Sequence, residues 1–468
     1  MIGGGKLVKL LRSDGTDLDI LLGDYKKAIR SMFVPFLVAF AVIELNQFVD
    51  TFWISGLGKS ASEAISVSIS FYGLLMCAGM GIGIGATSAI AFRLGQGNKE
   101  IAGSIASNAM ILSILLGLAS SAIMFFAMDP ALWILGAENI RTECWDYMIP
   151  FIAMAPILMA HSVIGGLFRG EGAARKSTAI QMAAALLNIV LDPFLIYALN
   201  MGIMGAGIST GLSALIALMI GLRWYAEGKT AVRMDRSNFR FSKDAVKEIM
   251  NVGIPKTFQD LITNFTVFAQ RIFIIVAGGT TAVLIYNYPF RITSLFNLPG
   301  KSLEHSMLPI ASSSYGQKDL VKMKGAADYA LKLTLCIAAV FTVLIFIFAE
   351  PLMSIFTYEE SMGALLPDLA QALRLICLTM PFMAIKGIGA SLLQAMKKAK
   401  IPMYFDLFWS ILRLILFALS AYGFLGIDPF QGIMLIMAAL NIGGGCIVMA
   451  LAYVSMRRLM REAGQQTA

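Results

Sequence analysis

Apolar runs long enough to cross a bilayer recur from one end of this chain to the other, and that recurrence sets the fold class before any motif is read. About 12 runs of ~20 residues or more lie at 28–57, 66–94, 102–127, 145–168, 175–200, 204–226, 246–277, 282–314, 325–349, 365–395, 401–424 and 430–456. With 58% hydrophobic and only 14% charged residues, a soluble protein of this size has no interior large enough to hide such a surface. The expected fold is all-α and integral to the membrane, with about 12 transmembrane helices, several long enough to tilt or break.

The net charge of +8 is placed by topology and not by a nucleic-acid footprint. Lys6, Lys9, Arg12, Lys26 and Lys27 precede the first run and Arg30 lies at its start, and Arg93 with Lys99, Arg169 with Arg175 and Lys176, Lys229 through Lys247, Lys318 through Lys324, Lys397 through Lys400, and Arg457 through Arg461 follow on alternate connections. The opposite connections carry Asp129, Glu138, Glu143, Glu350, Glu359 and Glu360. This positive-inside pattern predicts a multi-pass protein of the cell (plasma) membrane with both termini cytoplasmic. Five scattered cysteines, Cys77, Cys144, Cys336, Cys377 and Cys446, read as small apolar side chains and not as a disulfide or metal framework. No signal-peptide core opens the chain, so the first span is expected to serve as its own insertion signal. The short LVKLLR segment, Leu7 to Arg12, either lies along the membrane surface or is solvated.

Within the fifth run, Ala183 to Tyr197 reads AAALLNIVLDPFLIY. Asn188 and Asp192 are one helical turn apart and share a side. Pro193 follows, and its missing N–H predicts a bend that loosens carbonyls near Ile189. A carboxylate, an amide oxygen and freed carbonyls at one depth suit a small hard cation or a proton. The alternative is a neutral buried acid serving packing alone. Asp50, ahead of Trp53 in the first span, is a second intramembrane acid on a face made polar by Glu44, Asn46 and Gln47. Thr210, in GISTG, offers a hydroxyl near the level of Asp192, unless it bonds back to its own helix. His161 in the fourth span is either a titratable group or a hydrogen-bonded packing residue.

The second half echoes the first. GQGNK (Gly95–Lys99) returns loosely as YGQKD (Tyr315–Asp319), and LFRGEG (Leu167–Gly172) as LLQAMK (Leu392–Lys397). Two six-span bundles related by an axis along the membrane normal are the expectation. The domain reading is a cytoplasmic tail 1–25, a first lobe 26–226, a linker 227–245, a second lobe 246–456 and a cytoplasmic tail 457–468. At the repeat offsets Asp50 corresponds to Arg271, Asn188 to Arg413 and Asp192 to Phe417. Only the first half is equipped for a cation. Arg271, Lys386 and Arg413 are candidates to line a cavity, to pair with acids such as Asp260 and Asp406, or to snorkel to an interface.

At these residues the chain resembles the multidrug and toxic compound extrusion (MATE) family, its DinF-like branch and archaeal members most of all. The resemblance runs in register along nearly the whole chain, through VDTFWISGLG (Val49–Gly58), SAIAFRLGQGNKE (Ser88–Glu100), LFRGEGAARKS (Leu167–Ser177), LNIVLDPFLIYAL (Leu187–Leu199) and PFRI (Pro289–Ile292). It implies twelve helices in two pseudo-symmetric six-helix lobes and cation-coupled export by alternating access. It further implies that Asp50, Asn188, Asp192 and Thr210 form the first-lobe cation or proton site, a Na+ site if coupling is to sodium, with Tyr147 as a cavity tyrosine beside it. Where relatives place asparagines in the fourth helix, this chain has His161, Ser162 and Gly165, which alters the cavity lining.

The function expected is a Na+- or H+-coupled antiporter exporting amphipathic, often cationic organic compounds. A flippase for a lipid or lipid-linked substrate on the same architecture is the alternative. No nucleophile elbow, nucleotide loop or His/Cys cluster supports an enzyme. No cofactor beyond the coupling ion is expected. The partners expected are small organic substrates and the bilayer, with no nucleic acid and a monomeric chain.

Overall fold

The computed structural model describes residues 16–134, 138–234, 241–356 and 363–466, and Leu7–Arg12 lies outside them. The described chain is helical nearly throughout. The elements are α1 (Thr16–Leu22), α2 (Tyr25–Ser55), α3 (Lys59–Gly95), α4 (Lys99–Ile134), α5 (Arg141–Gly170), α6 (Ala174–Pro193) and α7 (Gly202–Ala226), then α8 (Lys243–Phe296) and α9 (Leu298–Gly316). They continue with α10 (Leu320–Ile347), α11 (Ala349–Ser354), α12 (Leu366–Cys377), α13 (Met380–Ala395), α14 (Lys400–Ala421) and α15 (Pro429–Gln466). A spanning segment must satisfy its backbone internally, and these apolar runs do so as helices.

Among the described residues, 11 helical segments are long and apolar enough to cross a membrane. The remaining expected span, 282–314, is helical too, but in two pieces meeting near Asn297. Its second piece holds Lys301, Glu304, His305 and a run of serines, which lowers its hydropathy. The architecture is the all-helical one expected, with twelve spans. α8 contains a reversal. Its backbone leaves the helical region at Gly278 and at Gly279, where φ is 67°, a conformation that suits glycine. Gln270 and Tyr286, one on each side of this break, hydrogen-bond directly. A straight helix would hold them about 24 Å apart.

The chain divides into two compact units, residues 1–260 with 312–319, and residues 261–311 with 320–468. In the first, small residues let helices touch backbone to backbone. A Cβ on Gly166 of α5 would lie 2.5 Å from the Gly83 carbonyl oxygen of α3. Thr87 donates to that same contact, its hydroxyl lying 2.8 Å from both the Gly83 and Gly166 carbonyls. Gly117 of α4 meets the Pro156 backbone in the same way. With little hydrophobic drive between helices in lipid, such close approach and interhelical hydrogen bonds hold the bundle. The second unit repeats the device where Gly445 abuts the Phe382 carbonyl and Trp409 donates to the Leu440 carbonyl at 2.9 Å.

The segment after α7, itself part of the first unit, is tied to the end of α5. Glu171, between α5 and α6, is only 1% exposed. It accepts from the Tyr225 hydroxyl and, at 2.9 Å, from the Ala231 amide. Nearby, Arg93 forms an ion pair with Glu248 at 2.8 Å.

Candidate functional site

The polar centre of the first unit is built by α2, α6 and α7. Asn188 and Asp192 do fall on one side of α6, and both are buried, at 4% and 1% exposure. The Asn188 amide donates to Asp192 Oδ1 at 3.0 Å and to Ser209 Oγ of α7 at 2.6 Å. Ser209, fully buried, donates its own hydroxyl to Asp192 Oδ1. From α2, the Asn46 amide donates to Asp50 Oδ2 and to Asn188 Oδ1, each at 2.8 Å. The carboxyls of Asp50 and Asp192 lie within hydrogen-bonding reach of each other. Asp50 Oδ1 and Asp192 Oδ2 are buried without a donor. Two acid oxygens cannot bond to each other unless a proton or a cation sits between them.

At Pro193 the α-helix gives way to a π-helical turn, Phe194–Ala198. Such turns hold one residue more than an α-turn and occur often at functional sites. The Tyr197 hydroxyl in this turn donates to the Trp53 carbonyl of α2. Thr210 lies at the edge of the cluster. Its hydroxyl donates back to the Ala206 carbonyl at 3.1 Å, and its distance to the Asn188 amide is 3.5 Å.

Tyr147 and Tyr72 flank the Phe151 ring, at 5.0 and 4.9 Å between centroids, and both lie close to Asp50. His161 is placed elsewhere on α5, beside the Ile180 backbone, about 12 Å along α6 from Asn188, and its Nε2 is buried without a partner. Ser162 presents its backbone to Gly83 of α3.

The basic candidates fall in the second unit. Lys386 pairs with buried Asp406 at 2.6 Å. Arg413 donates to Asn441 Oδ1 of α15 at 2.8 Å. Arg271 is exposed, near enough to Tyr286 to act on its hydroxyl. Three cluster members, Ser209, Asn46 and Tyr72, were absent from the residues singled out for the site. Asn46 carried a readable signal, because it stands one turn before Asp50.

The family model for MatE matches residues 35–194 and 255–419, well over half the chain. The chain belongs to the MatE family. Its MatE relatives include a protein of Shewanella oneidensis called an FAD transporter, 26% identical over 91% of this chain and 94% of that protein. Another is the multidrug export protein MepA of Staphylococcus saprophyticus, 23% identical over 78% of this chain and 79% of its own. Among solved structures, a MOP superfamily transporter from Pyrococcus furiosus superposes with a TM-score of 0.89, at 26% identity, over 96% of this chain and all of that one. Its description speaks of a reverse polarity of the binding pocket and a different function. An outward-facing MATE multidrug resistance transporter matches equally well, with a TM-score of 0.89 and 26% identity. This MatE chain is thus a multi-pass membrane protein, and transport is what the family and these relatives have in common.

Proposed function

We propose that the chain is a cation-coupled antiporter that exports amphipathic organic compounds, often cationic, by alternating access. It acts as a monomer in the plasma membrane with both termini in the cytoplasm, and belongs to the DinF-like branch. The observation that carries the coupling is the facing pair of Asp50 and Asp192, whose two donorless oxygens call for a proton or a Na+ ion. Asn188 and Ser209 hold Asp192 in place, and Asn46 holds Asp50. If that ion is Na+, Asp50 and Asp192 supply its main oxygens, and Asn188 and Thr210, already hydrogen-bonded to Asn46 and to Ala206, supply weaker ones. Binding cancels negative charge at the junction of α2 and α6 and changes how those helices pack. Export follows only if the substrate-bound and ion-bound states differ in affinity for each ligand. Tyr147 and Tyr72 beside the acids would give a substrate apolar faces to lie against.

The test uses purified protein in liposomes loaded against a Na+ gradient or a pH gradient, imposed separately. Uptake of a fluorescent cationic dye driven by one gradient, and lost in Asp192→Asn, supports the reading and names the ion. Full gradient-driven uptake in Asp192→Asn would sink it. The lipid flippase is the weaker reading, because the relatives matched are described as multidrug export and FAD transport proteins.

A further inference from the structure

We propose that Arg413, Gln270 and Tyr286, with Arg271 beside them, form a binding site for an oxyanion group, phosphate or carboxylate, carried by a transported organic compound. The inference rests on the transport reading above and adds an anionic group to its substrate class.

The geometry begins at the break in α8. The reversal at Gly278–Gly279 brings Gln270 back against Tyr286, where the Gln270 amide donates to the tyrosine hydroxyl at 3.2 Å. Gln270 is 4% exposed, and its Oε1 is buried without a donor. With the amide in this orientation, the Tyr286 O–H is left to donate. With the amide turned over, its NH2 is left instead. Either way this pair offers a donor that the protein does not use.

Arg413 supplies the charge. One of its terminal nitrogens is held by Asn441, while its Nε is buried and has no partner. Arg413 and Arg271 both lie close enough to act on the Tyr286 hydroxyl. Asp406 is the acid near Arg413, but it is engaged by Lys386 at 2.6 Å. Among the described residues, no carboxylate forms an ion pair with Arg413 or Arg271. Asp406, shared with Lys386, compensates the partly buried Arg413 guanidinium only in part, which is unfavourable, and the planar fork is shaped for carboxylate or phosphate.

The internal repeat gives independent support. Arg271 stands where the first half has Asp50, and Arg413 where it has Asn188. In the first unit these positions converge through Asn46 on an acid pair. In the second, both arginines lie within electrostatic range of the Tyr286 hydroxyl, so the charge there is of the opposite sign.

The test compares two flavins that differ only by a phosphate, riboflavin and flavin mononucleotide, by fluorescence quenching with the full chain in phosphatidylcholine nanodiscs. The wild type is expected to prefer the mononucleotide by about tenfold, and Arg413→Gln to lose that preference. Arg413→Lys should retain part of it. Gln270→Leu, which leaves both arginines in place, should weaken it about threefold, and so covers the case in which the arginine variant does not fold. Adding phosphatidylglycerol to the discs separates the sources of the oxyanion. Displacement of the mononucleotide assigns it to a lipid headgroup, and unchanged binding assigns it to a soluble compound. Both outcomes support an oxyanion site, and displacement would overturn its assignment to a transported compound. Equal binding of the two flavins, binding of neither, or the same preference in Arg413→Gln and Gln270→Leu would overturn it. Binding is read without a gradient, so a failure of ion coupling leaves this result untouched.

Discussion

Asp50 of α2 and Asp192 of α6 face each other in the first unit, each with one oxygen that no donor reaches. Their other oxygens are bonded, Asp50 by Asn46 and Asp192 by Asn188 and Ser209. The two sides of the pair therefore differ in strength of support, and the hydroxyls of α7 make that testable.

Ser209→Ala removes a donor from a buried carboxyl, whereas Thr210→Ala removes a hydroxyl that mainly serves its own helix. A hydrogen bond to a charged group contributes about 1.5–3 kcal/mol. Ser209→Ala is expected to shift the ion concentration, Na+ or H+, that half-activates dye export by about tenfold or more. Thr210→Ala is expected to shift it by about threefold or less. Equal shifts in a liposome titration would show that the hydroxyls are misassigned.

Glu171 predicts a pH-dependent contact at the end of α5. Burial pushes its carboxyl up from the ordinary 4.5 to about 7, against the opposing effect of the Tyr225 and Ala231 hydrogen bonds and of nearby Lys176. The folded chain then binds more protons than the unfolded one between those values. The contribution is full below the ordinary value and is lost as pH rises through about 7, a change of up to about 3 kcal/mol. Glu171→Gln stays neutral and keeps an acceptor. Its thermal midpoint is expected to fall less than that of the wild type between pH 5 and pH 8, in buffers of about equal ionic strength. Parallel slopes would remove Glu171 as the cause.

Lys386 and Asp406 test whether a pair inside the second unit serves structure. Asp406 has a side-chain exposure of 6% against 36% for Lys386. Lys386→Met strands the more buried partner and is expected to lower stability by about 1–3 kcal/mol. Lys386→Met with Asp406→Leu should recover most of that, because the stranded charge is gone. Chemical or thermal unfolding in detergent of the single and double variants decides it.

Gly166→Ala addresses packing. The added methyl would meet the Gly83 carbonyl at 2.5 Å, and backbone on both sides leaves little room to adjust. A loss of about 1–3 kcal/mol or more is expected, read as a lowered thermal midpoint, with Gly464→Ala, in open space, as the comparison.

How much of this was legible depended on whether partners share a helix. Asn188 and Asp192 could be read because one turn of one apolar helix joins them, and Pro193 marked the change of helix type. Ser209 could not, because its partner sits on another helix and its neighbour Thr210 offers the same chemistry. Asn46 stood in view on a polar face, but its bridge to Asn188 spans 142 residues. In the second half, Arg413 was visible as a charge in an apolar run, while Asn441 and Tyr286 became its surroundings only through the packing of α14 on α15 and the reversal in α8. The twelve-span count followed from apolar length, and the polar break near Asn297 is where that signal was weakest.

The hydrogen bond from Tyr197 to the Trp53 carbonyl has a consequence for the acid pair one level away. Asn46 and Asn188 join α2 to α6 on one side of the carboxyls, and Tyr197 and Trp53 join the same helices on the other. Clamped at both heights, the two helices act as a calliper whose jaws are Asp50 and Asp192. If the pair holds the coupling ion as proposed, the width of the jaws, set by those two contacts, acts beside their charge in selecting that ion.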